Sequence, residues 1–261
     1  MEIALAPLAG TLVLDGRQIA PAAAFLRLDV FSGGAVPEGP ILPKPPAWFA
    51  FALGAVLSMP GIRVFNRLMS SFQGVKIADL CLAARIGLPV PETLVSNSLA
   101  EAERFLERNS GAIAKPVNGG GYSKPLSECL DPALAVDGCL PLPAFLQEGL
   151  SYPEYRVYRV GRTWHVFRIE SEMTDYRADP AARMRAVPIS EPPVGALKPA
   201  LAAMADALGL DFCAFDLKTR PSTGELCFLE VNSGPMFAAH DHASGGRLTE
   251  SIICELVGRT D

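Results

Sequence analysis

Asp216, Glu230 and Asn232 are the residues of this chain whose types and spacing best fit chemistry. The apolar run 212–215 leads into Asp216. A second apolar run, 226–229, leads into Glu230 and Asn232, two residues apart. Alternation in a strand sends Glu230 and Asn232 to one face. The turn Pro221-Ser222-Thr223-Gly224 between the runs predicts an antiparallel hairpin with Asp216 opposite the pair. Three oxygen ligands on one sheet face suit a hard cation such as Mg2+, shared with phosphates. That points toward nucleotide chemistry. Acids at strand ends also occur on solvated faces with no metal, and these three residues alone leave both readings open.

Other segments carry chemistry only in combination. Lys115 ends an apolar stretch shortly before Gly119-Gly120-Gly121. Glycines let backbone N–H groups approach a phosphate, and a lysine supplies the opposing charge. The loop lacks G-K-[ST] and G-x-G-x-x-G, and a Gly-rich loop by itself is more often a plain turn. Lys76 falls on a helical segment, off the apolar face; alone it reads as a solvated surface lysine. Gln147-Glu148-Gly149-Leu150 leaves an apolar run and offers backbone groups at a sheet edge, as adenine recognition requires. An ordinary strand exit has the same pattern. Glu154 and Arg156 alternate on the next run, and Arg177 follows Asp175-Tyr176 in a polar loop. An arginine on a loop facing phosphates binds transferring phosphoryl oxygens, although most loop arginines are surface charges. His240 and His242 are two apart with no third ligand in view. No G-x-S-x-G elbow occurs, and with His165 the histidines suggest no triad, which argues against Ser/His hydrolysis.

These residues need a scaffold, and 261 residues, 49% of them hydrophobic, supply one large domain or two packed ones. The net charge of −5 argues against a nucleic-acid partner. Six cysteines without a C-x-x-C pair fit neither a disulfide framework nor a zinc site. The N-terminus lacks a signal-peptide pattern, and the longest apolar stretch, 47–57, is too short for a bilayer. The expected setting is cytoplasmic, with no membrane partner. Short strands are predicted over residues 1–32 with a turn at Asp15-Gly16, a loop over 33–46 and a helix over 47–57. Residues 73–86 have helical spacing, with Val75, Ala78, Leu82 and Ile86 on one face and Gly87 closing it. Ser98 caps a helix to about Asn109, with Glu101 in the capping-box position. A strand over 111–116, a loop-rich stretch over 126–143 and a strand over 145–147 follow. A hairpin turns at Gly161-Arg162, residues 174–193 read as polar and mobile, and helices cover 196–208 and 249–257. The alternation fits an α/β or α+β sandwich of two lobes.

Taken in order, these pieces resemble the ATP-grasp superfamily over about residues 66–258. Lys76 with Gly87-Leu88-Pro89-Val90-Pro91-Glu92-Thr93 is similar to the family's entry helix and strand. Ala114-Lys115-Pro116 with Gly119, Gly120 and Gly121 resembles its second ATP lysine and glycine loop. Gln147-Glu148-Gly149-Leu150 resembles its adenine hinge, with Glu154 near the ribose. Asp216, Glu230 and Asn232 match its Mg2+ ligands, with Mn2+ as an alternative ion. Within the superfamily the RimK-type ligases, which add glutamate to carboxylates, are most similar. Asp175-Tyr176-Arg177 resembles an Asp-Phe-Arg segment there, and Glu230-Val231-Asn232-Ser233-Gly234-Pro235 resembles their Glu-Val-Asn-x-x-Pro end. Macrocyclising ligases of ribosomal peptides are similar around Ile169-Glu170-Ser171.

The resemblance implies an ATP-grasp fold of two α+β lobes enclosing the nucleotide, preceded by a short α/β pre-ATP-grasp region. The implied division is a shortened pre-ATP-grasp region at 1–65 and an ATP-grasp domain at 66–261, with a lobe boundary near 147–150. It implies ATP and Mg2+, a carboxylate and an amine substrate such as an amino acid, and a homo-oligomer. The implied activity is amide-bond formation through an acyl phosphate, with Arg177 stabilising the transferring phosphoryl group. A peptide macrocyclase, a kinase and a silent nucleotide-binding module are the alternatives. The short region before Asn66 and the unusual tail from Met236 to His242 leave the acceptor open.

Overall fold

The computed structural model describes residues 3–6, 11–27, 45–59, 61–68, 75–117 and 123–258. Strands β1 (Ile3–Ala6), β2 (Thr11–Leu14) and β3 (Arg17–Ile19) form a small antiparallel sheet. Its second hairpin turns at Asp15 and Gly16, both at positive φ (45° and 74°), which short polar residues and glycine tolerate. Strand β4 (Ala23–Ala24) pairs in parallel with β5 (Arg63–Val64), with helix α1 (Pro45–Leu57) between them in sequence. Val56, Ile62 and Val64 make a local core there.

Helix α2 (Lys76–Ile86) ends at Gly87, whose left-handed conformation (φ 92°) lets its N–H reach the last-turn carbonyls. The face that packs is only partly the expected one. Val75 and Ala78 are exposed, whereas Asp79 and Ala83 are buried, and Leu80, Leu82 and Ile86 lie against the core. Lys76 belongs to this packed face, three, four and seven residues before Asp79, Leu80 and Ala83. Two apolar stripes overlap in this sequence, and docking beside a strand and a second helix selects the one that carries Lys76.

Strand β6 (Thr93–Ser98) runs into helix α3 (Leu99–Arg108), capped by Ser98 accepting from the Glu101 N–H at 3.3 Å. With β7 (Ile113–Pro116), β8 (Lys124–Pro125) and β9 (Cys139–Gln147) it forms a four-stranded antiparallel sheet, ordered β6-β9-β7-β8. Phe105 and Ala102 of α3 pack on Ala114 and Leu146. Strand β9 begins at Cys139, inside the stretch expected to be loop; its first half is mostly exposed and carries Pro141 and Pro143, which read as loop.

The larger sheet is ordered β12-β11-β10-β13-β14, all antiparallel. It contains β10 (Ser151–Val160), β11 (Thr163–Glu170), β12 (Arg183–Val187), β13 (Phe212–Thr219) and β14 (Leu226–Asn232). One face buries Tyr155, Val157, Phe215, Leu217 and Phe228 under helix α4 (Val194–Ala207) and α2. The other buries Tyr158, Phe167, Phe212 and Ala214 under helix α6 (Arg247–Val257). Both faces are covered, so β13 reads as a nearly continuous buried run. The expected mobile stretch 174–193 contains β12, which pairs with β11 from Val166↔Val187 to Glu170↔Arg183. Only Val187 of that strand is buried, so an edge strand with exposed Arg183 and Arg185 looks like loop in sequence. The short helix α5 (Ala238–Ala243) also escaped the sequence pattern.

Candidate active site

Cross-strand pairing builds the floor of the site. Arg156 of β10 lies opposite Asp216 of β13, and Asp216 lies opposite Glu230 of β14. Two register positions away, on the same face, Glu154 faces Lys218; two positions the other way, Ala214 faces Asn232. The β14 register slips between Asp216 and Leu217, so Leu217 meets Phe228 and Leu229 is an extra residue. Phe228 enters the core while Glu230, two residues on, joins the polar cluster. An unbroken strand would put both on one face; the bulge separates them.

Arg156 Nη1 donates to both oxygens of Asp216 at 2.8 and 2.9 Å, and its Nε donates to the Tyr158 hydroxyl at 3.0 Å. The Tyr158 hydroxyl in turn donates to the Met236 carbonyl at 2.7 Å. Asn232 Nδ2 donates to Asp216 Oδ2 at 3.1 Å and to Glu230 Oε1 at 3.3 Å. Lys76 Nζ stands 3.4 Å from Glu230 Oε2. Lys115 comes from the other sheet, its ammonium 5.6 Å from the Phe145 ring centroid. The structure thus brings Asp216, Glu230, Asn232 and Lys76 into contact, with Lys115 near enough for its charge to act on Glu230, Lys76 and Asp216.

The charges act on one another. Burial pushes Asp216 up to about 6; Arg156 opposes this and Glu230 adds to it. Burial acts the same way on Glu230, yet Lys76 and Lys115 hold it below its ordinary value. Burial pushes the Lys115 ammonium down to about 8, with Glu230 opposing and Lys76 adding. Asp79 lies within reach of Glu230 and is pushed up to about 6, by burial first. Asp79 and Arg156 are the members of the cluster that sequence reasoning did not place in the site. The Lys76–Asp79 helical spacing and the Glu154–Arg156 alternation were the signals available.

Arg177 sits on a half-exposed turn and is held by Asp175 through Nε at 2.9 Å and Nη2 at 2.5 Å. Its positive charge is felt by both Glu230 and Asp216. Glu154 is buried 3.6 Å from Lys218 Nζ and is pushed up to about 7 by burial and by Asp216.

At the sheet exit, Gln147 is 1% exposed; its Nε2 donates to Thr93 Oγ1 at 3.0 Å, and its Oε1 has no partner. Glu148 accepts from Arg220 Nε at 2.7 Å, so its carboxylate serves an ion pair. Gly149 is required sterically, because a Cβ there would run into the Gly111 carbonyl oxygen. Leu150, half-buried, joins this exit to β10. Gly119, Gly120 and Gly121 lie outside the described residues.

His240 is buried against Tyr158 and Phe167, with ring centroids 5.3 and 5.1 Å away, whereas His242 is exposed. The two do not form a joint site. All six cysteines are free, with Cys213 and Cys227 in the core. Among the described residues no helix is long and apolar enough to cross a membrane.

The donor set fits a hard divalent cation. Two carboxylates and a carboxamide converge, and no thiol or imidazole is among them. Among the described residues no group of three or more His, Cys, Asp or Glu side chains forms a cage by itself. A partial oxygen set is what Mg2+ shared with phosphates requires. The unpartnered Gln147 Oε1 is likewise a buried acceptor suited to the amino group of a base.

Comparison with known structures assigns the architecture: this chain has the ATP-grasp fold. The ATP-grasp ligase PsnB, solved with a phosphomimetic variant of a minimal precursor, Mg and ADP, superposes with a TM-score of 0.71. It shares 26% identity, over 98% of this chain and 85% of that one. The macrocyclase MdnC of Microcystis aeruginosa MRC, bound with precursor peptide MdnA, gives 0.70 at 18% identity, over 96% and 84%. The VanG D-Ala:D-Ser ligase of Enterococcus faecalis gives 0.61 at 18%, over 98% and 78%. These structural neighbours are ATP-grasp ligases. No protein-family model matches the chain, and no curated protein sequence matches it.

Proposed function

We propose that this protein is an ATP-dependent carboxylate–amine ligase working through an acyl phosphate. The observation that carries this reading is the contact among Lys76, Asp216, Glu230 and Asn232, with the charge of Lys115 acting on Glu230, Lys76 and Asp216. In the proposed reaction a substrate carboxylate oxygen attacks the γ-phosphorus and ADP leaves. An amine then displaces phosphate from the acyl phosphate, giving an amide and free phosphate. Protein residues have little covalent work to do; they position groups and neutralise charge.

Asp216, Glu230 and Asn232 would hold Mg2+ (or Mn2+), which supplies charge neutralisation at the phosphates. Lys76 and Lys115 hold the phosphate oxygens as point charges. In this reading Gly119, Gly120 and Gly121 would cover the phosphates and exclude water, which hydrolyses an acyl phosphate. Gln147 through Leu150 receive the base, with Gln147 Oε1 accepting from its amino group. Glu154 accepts from the ribose. Arg177, preset by Asp175, binds the transferring phosphoryl oxygens. The division into a region at 1–65 and an ATP-grasp domain at 66–261, hinged near 147–150, belongs to the same reading. So do a reducing, cytoplasmic setting and a homo-oligomer. The RimK-like features, Asp175-Tyr176-Arg177 and Glu230-Val231-Asn232-Ser233-Gly234-Pro235, favour an amino acid such as glutamate as the amine.

A peptide acceptor is the second reading, favoured by the likeness to PsnB and MdnC, both solved with precursor peptides. The test is an ADP-release assay with a panel of amines and carboxylates, small and peptidic. Amide plus free phosphate supports ligation, and a phosphorylated acceptor indicates a kinase. Unchanged substrate-dependent ADP release in both Lys115→Ala and Glu230→Ala overturns the assignment.

A further inference from the structure

Lys218 occupies a place where a lysine needs a reason. It lies two residues after Asp216 in a strand buried on both faces, and its side chain is 9% exposed. An apolar side chain would fill such a position without losing hydration, and a buried ion pair is weak grounds for stability. Its contacts point in two directions. One is Glu154 on β10, 3.6 Å away and directly opposite in register. The other is the carbonyl of Thr174, which accepts from Nζ at 2.9 Å. The ammonium also sits 4.0 Å from the ring centroid of Tyr152, the second residue of β10.

Thr174 immediately precedes the turn that carries Arg177. That turn is braced from within. Asp175 accepts from the Arg177 backbone N–H at 3.0 Å as well as from its guanidinium, and Ser171 Oγ donates to Asp179 at 2.5 Å. The turn is cross-linked within itself, and Lys218 fastens it to the sheet floor through the Thr174 carbonyl.

We propose that Lys218 is a positioning residue that ties the Arg177 turn to the sheet at Glu154, so that the two ends of the nucleotide cleft are coupled. Lys218 touches no phosphate; it acts through Arg177. A nucleotide whose ribose engages Glu154 also steadies the turn that presents Arg177. The inference rests on the roles given above to Glu154 and Arg177.

A double-mutant cycle on Mg-AMPPNP affinity, read by calorimetry on the full chain, tests the coupling. Arg177→Ala is expected to weaken binding about tenfold and Lys218→Met about fivefold. The double variant is expected to match Arg177→Ala alone. A double variant weakened by the product, about fiftyfold, overturns the proposal. In parallel, trypsin cleavage at Arg177–Ala178 is followed by mass spectrometry. Mg-AMPPNP is expected to slow it at least fivefold in the wild type and less than twofold in Lys218→Met; equal protection overturns the proposal. If Lys218→Met does not fold, Glu154→Gln attacks the same link from the other side, with the same loss of protection expected and the same contrary result. Absence of Mg-AMPPNP binding to the wild type would overturn the ligase reading itself, an outcome separate from intact binding with an uncoupled Lys218.

Discussion

Arg156 and Asp216 face each other on adjacent strands, and one guanidinium nitrogen holds both carboxylate oxygens, at 2.8 and 2.9 Å. Both side chains are about nine-tenths buried. Arg156 thus opposes the effect of burial on the Asp216 carboxylate, and Asn232 bridges it to Glu230. The arrangement keeps two acids together in a buried place. Removing either member of such a pair leaves the other charged and alone.

The first prediction follows from that pair. Arg156→Met is expected to destabilise the protein by roughly 3–5 kcal/mol. Adding Asp216→Leu should restore most of that stability while abolishing Mg-dependent nucleotide binding. Urea denaturation of the three variants measures the first effect and calorimetry the second. A single variant as stable as the wild type would show that the pair is not a buried charge pair at all.

Asn66 makes the second. Its φ is 57°, in the left-handed region. Its side-chain nitrogen donates to the carbonyls of Phe212 and Ser233, both at 2.8 Å, and its oxygen accepts from the N–H groups of Asp211 and Phe212 at 3.0 and 2.9 Å. The amide thus clips the start of β13 to the residue after Asn232. Asn66→Ala is expected to cost roughly 1–3 kcal/mol from lost hydrogen bonds. Asn66→Gly should be less damaging by about 0.5–1 kcal/mol, because glycine accepts the backbone conformation. Thermal and urea midpoints of the two variants decide; equal loss would mean that the backbone strain is absent.

Gly149→Ala makes the third. Its Cβ would strike the backbone carbonyl of Gly111, which has no flexible side chain to yield. The strand exit must then shift, at an expected cost of about 1–3 kcal/mol. Mg-AMPPNP affinity should drop with it, because the displaced backbone is the proposed base-binding edge. A variant of wild-type stability and affinity would refute the close approach.

The fourth concerns pH. His240 is 6% exposed, and burial first, then Arg156, pushes its imidazole down to about 3 from 6.5. The folded protein keeps His240 neutral while the unfolded chain protonates it below about 6.5. More protons are bound by the unfolded state, so this residue removes stability as pH falls from about 6.5 toward 3. At pH 5 the loss attributable to His240 is about 2 kcal/mol. His240→Phe, which keeps a ring between Tyr158 and Phe167, should show a shallower decline between pH 7 and 5. Parallel stability–pH curves for the two proteins would contradict it.

Much of this was legible in the chain. The β13–β14 hairpin announced itself by two apolar runs around a turn, Glu230 and Asn232 share a face as period-two alternation requires, and Asp216 lies opposite Glu230. The bulge at Leu229 was not legible, because nothing local tells Phe228 to leave the face that Glu230 keeps. Arg156 looked like one more alternating charge until register set it across from Asp216. Lys76 was assigned to the wrong side of its helix because two weak apolar stripes overlap, and only packing chooses between them. Strand β12 was hidden for a related reason: its hydrogen bonds come from β11, and Arg183, Arg185 and Ala186 of its five residues are exposed. What spacing along the chain specifies was readable. What depends on a partner strand was not.

The most direct measurement of the central claim is calorimetric titration of the full chain with AMPPNP, in Mg2+ and in EDTA. The account predicts Mg-dependent binding that weakens at least tenfold in Glu230→Ala and in Lys115→Ala. No binding by the wild type, or the same affinity with and without Mg2+ and in both variants, would contradict it.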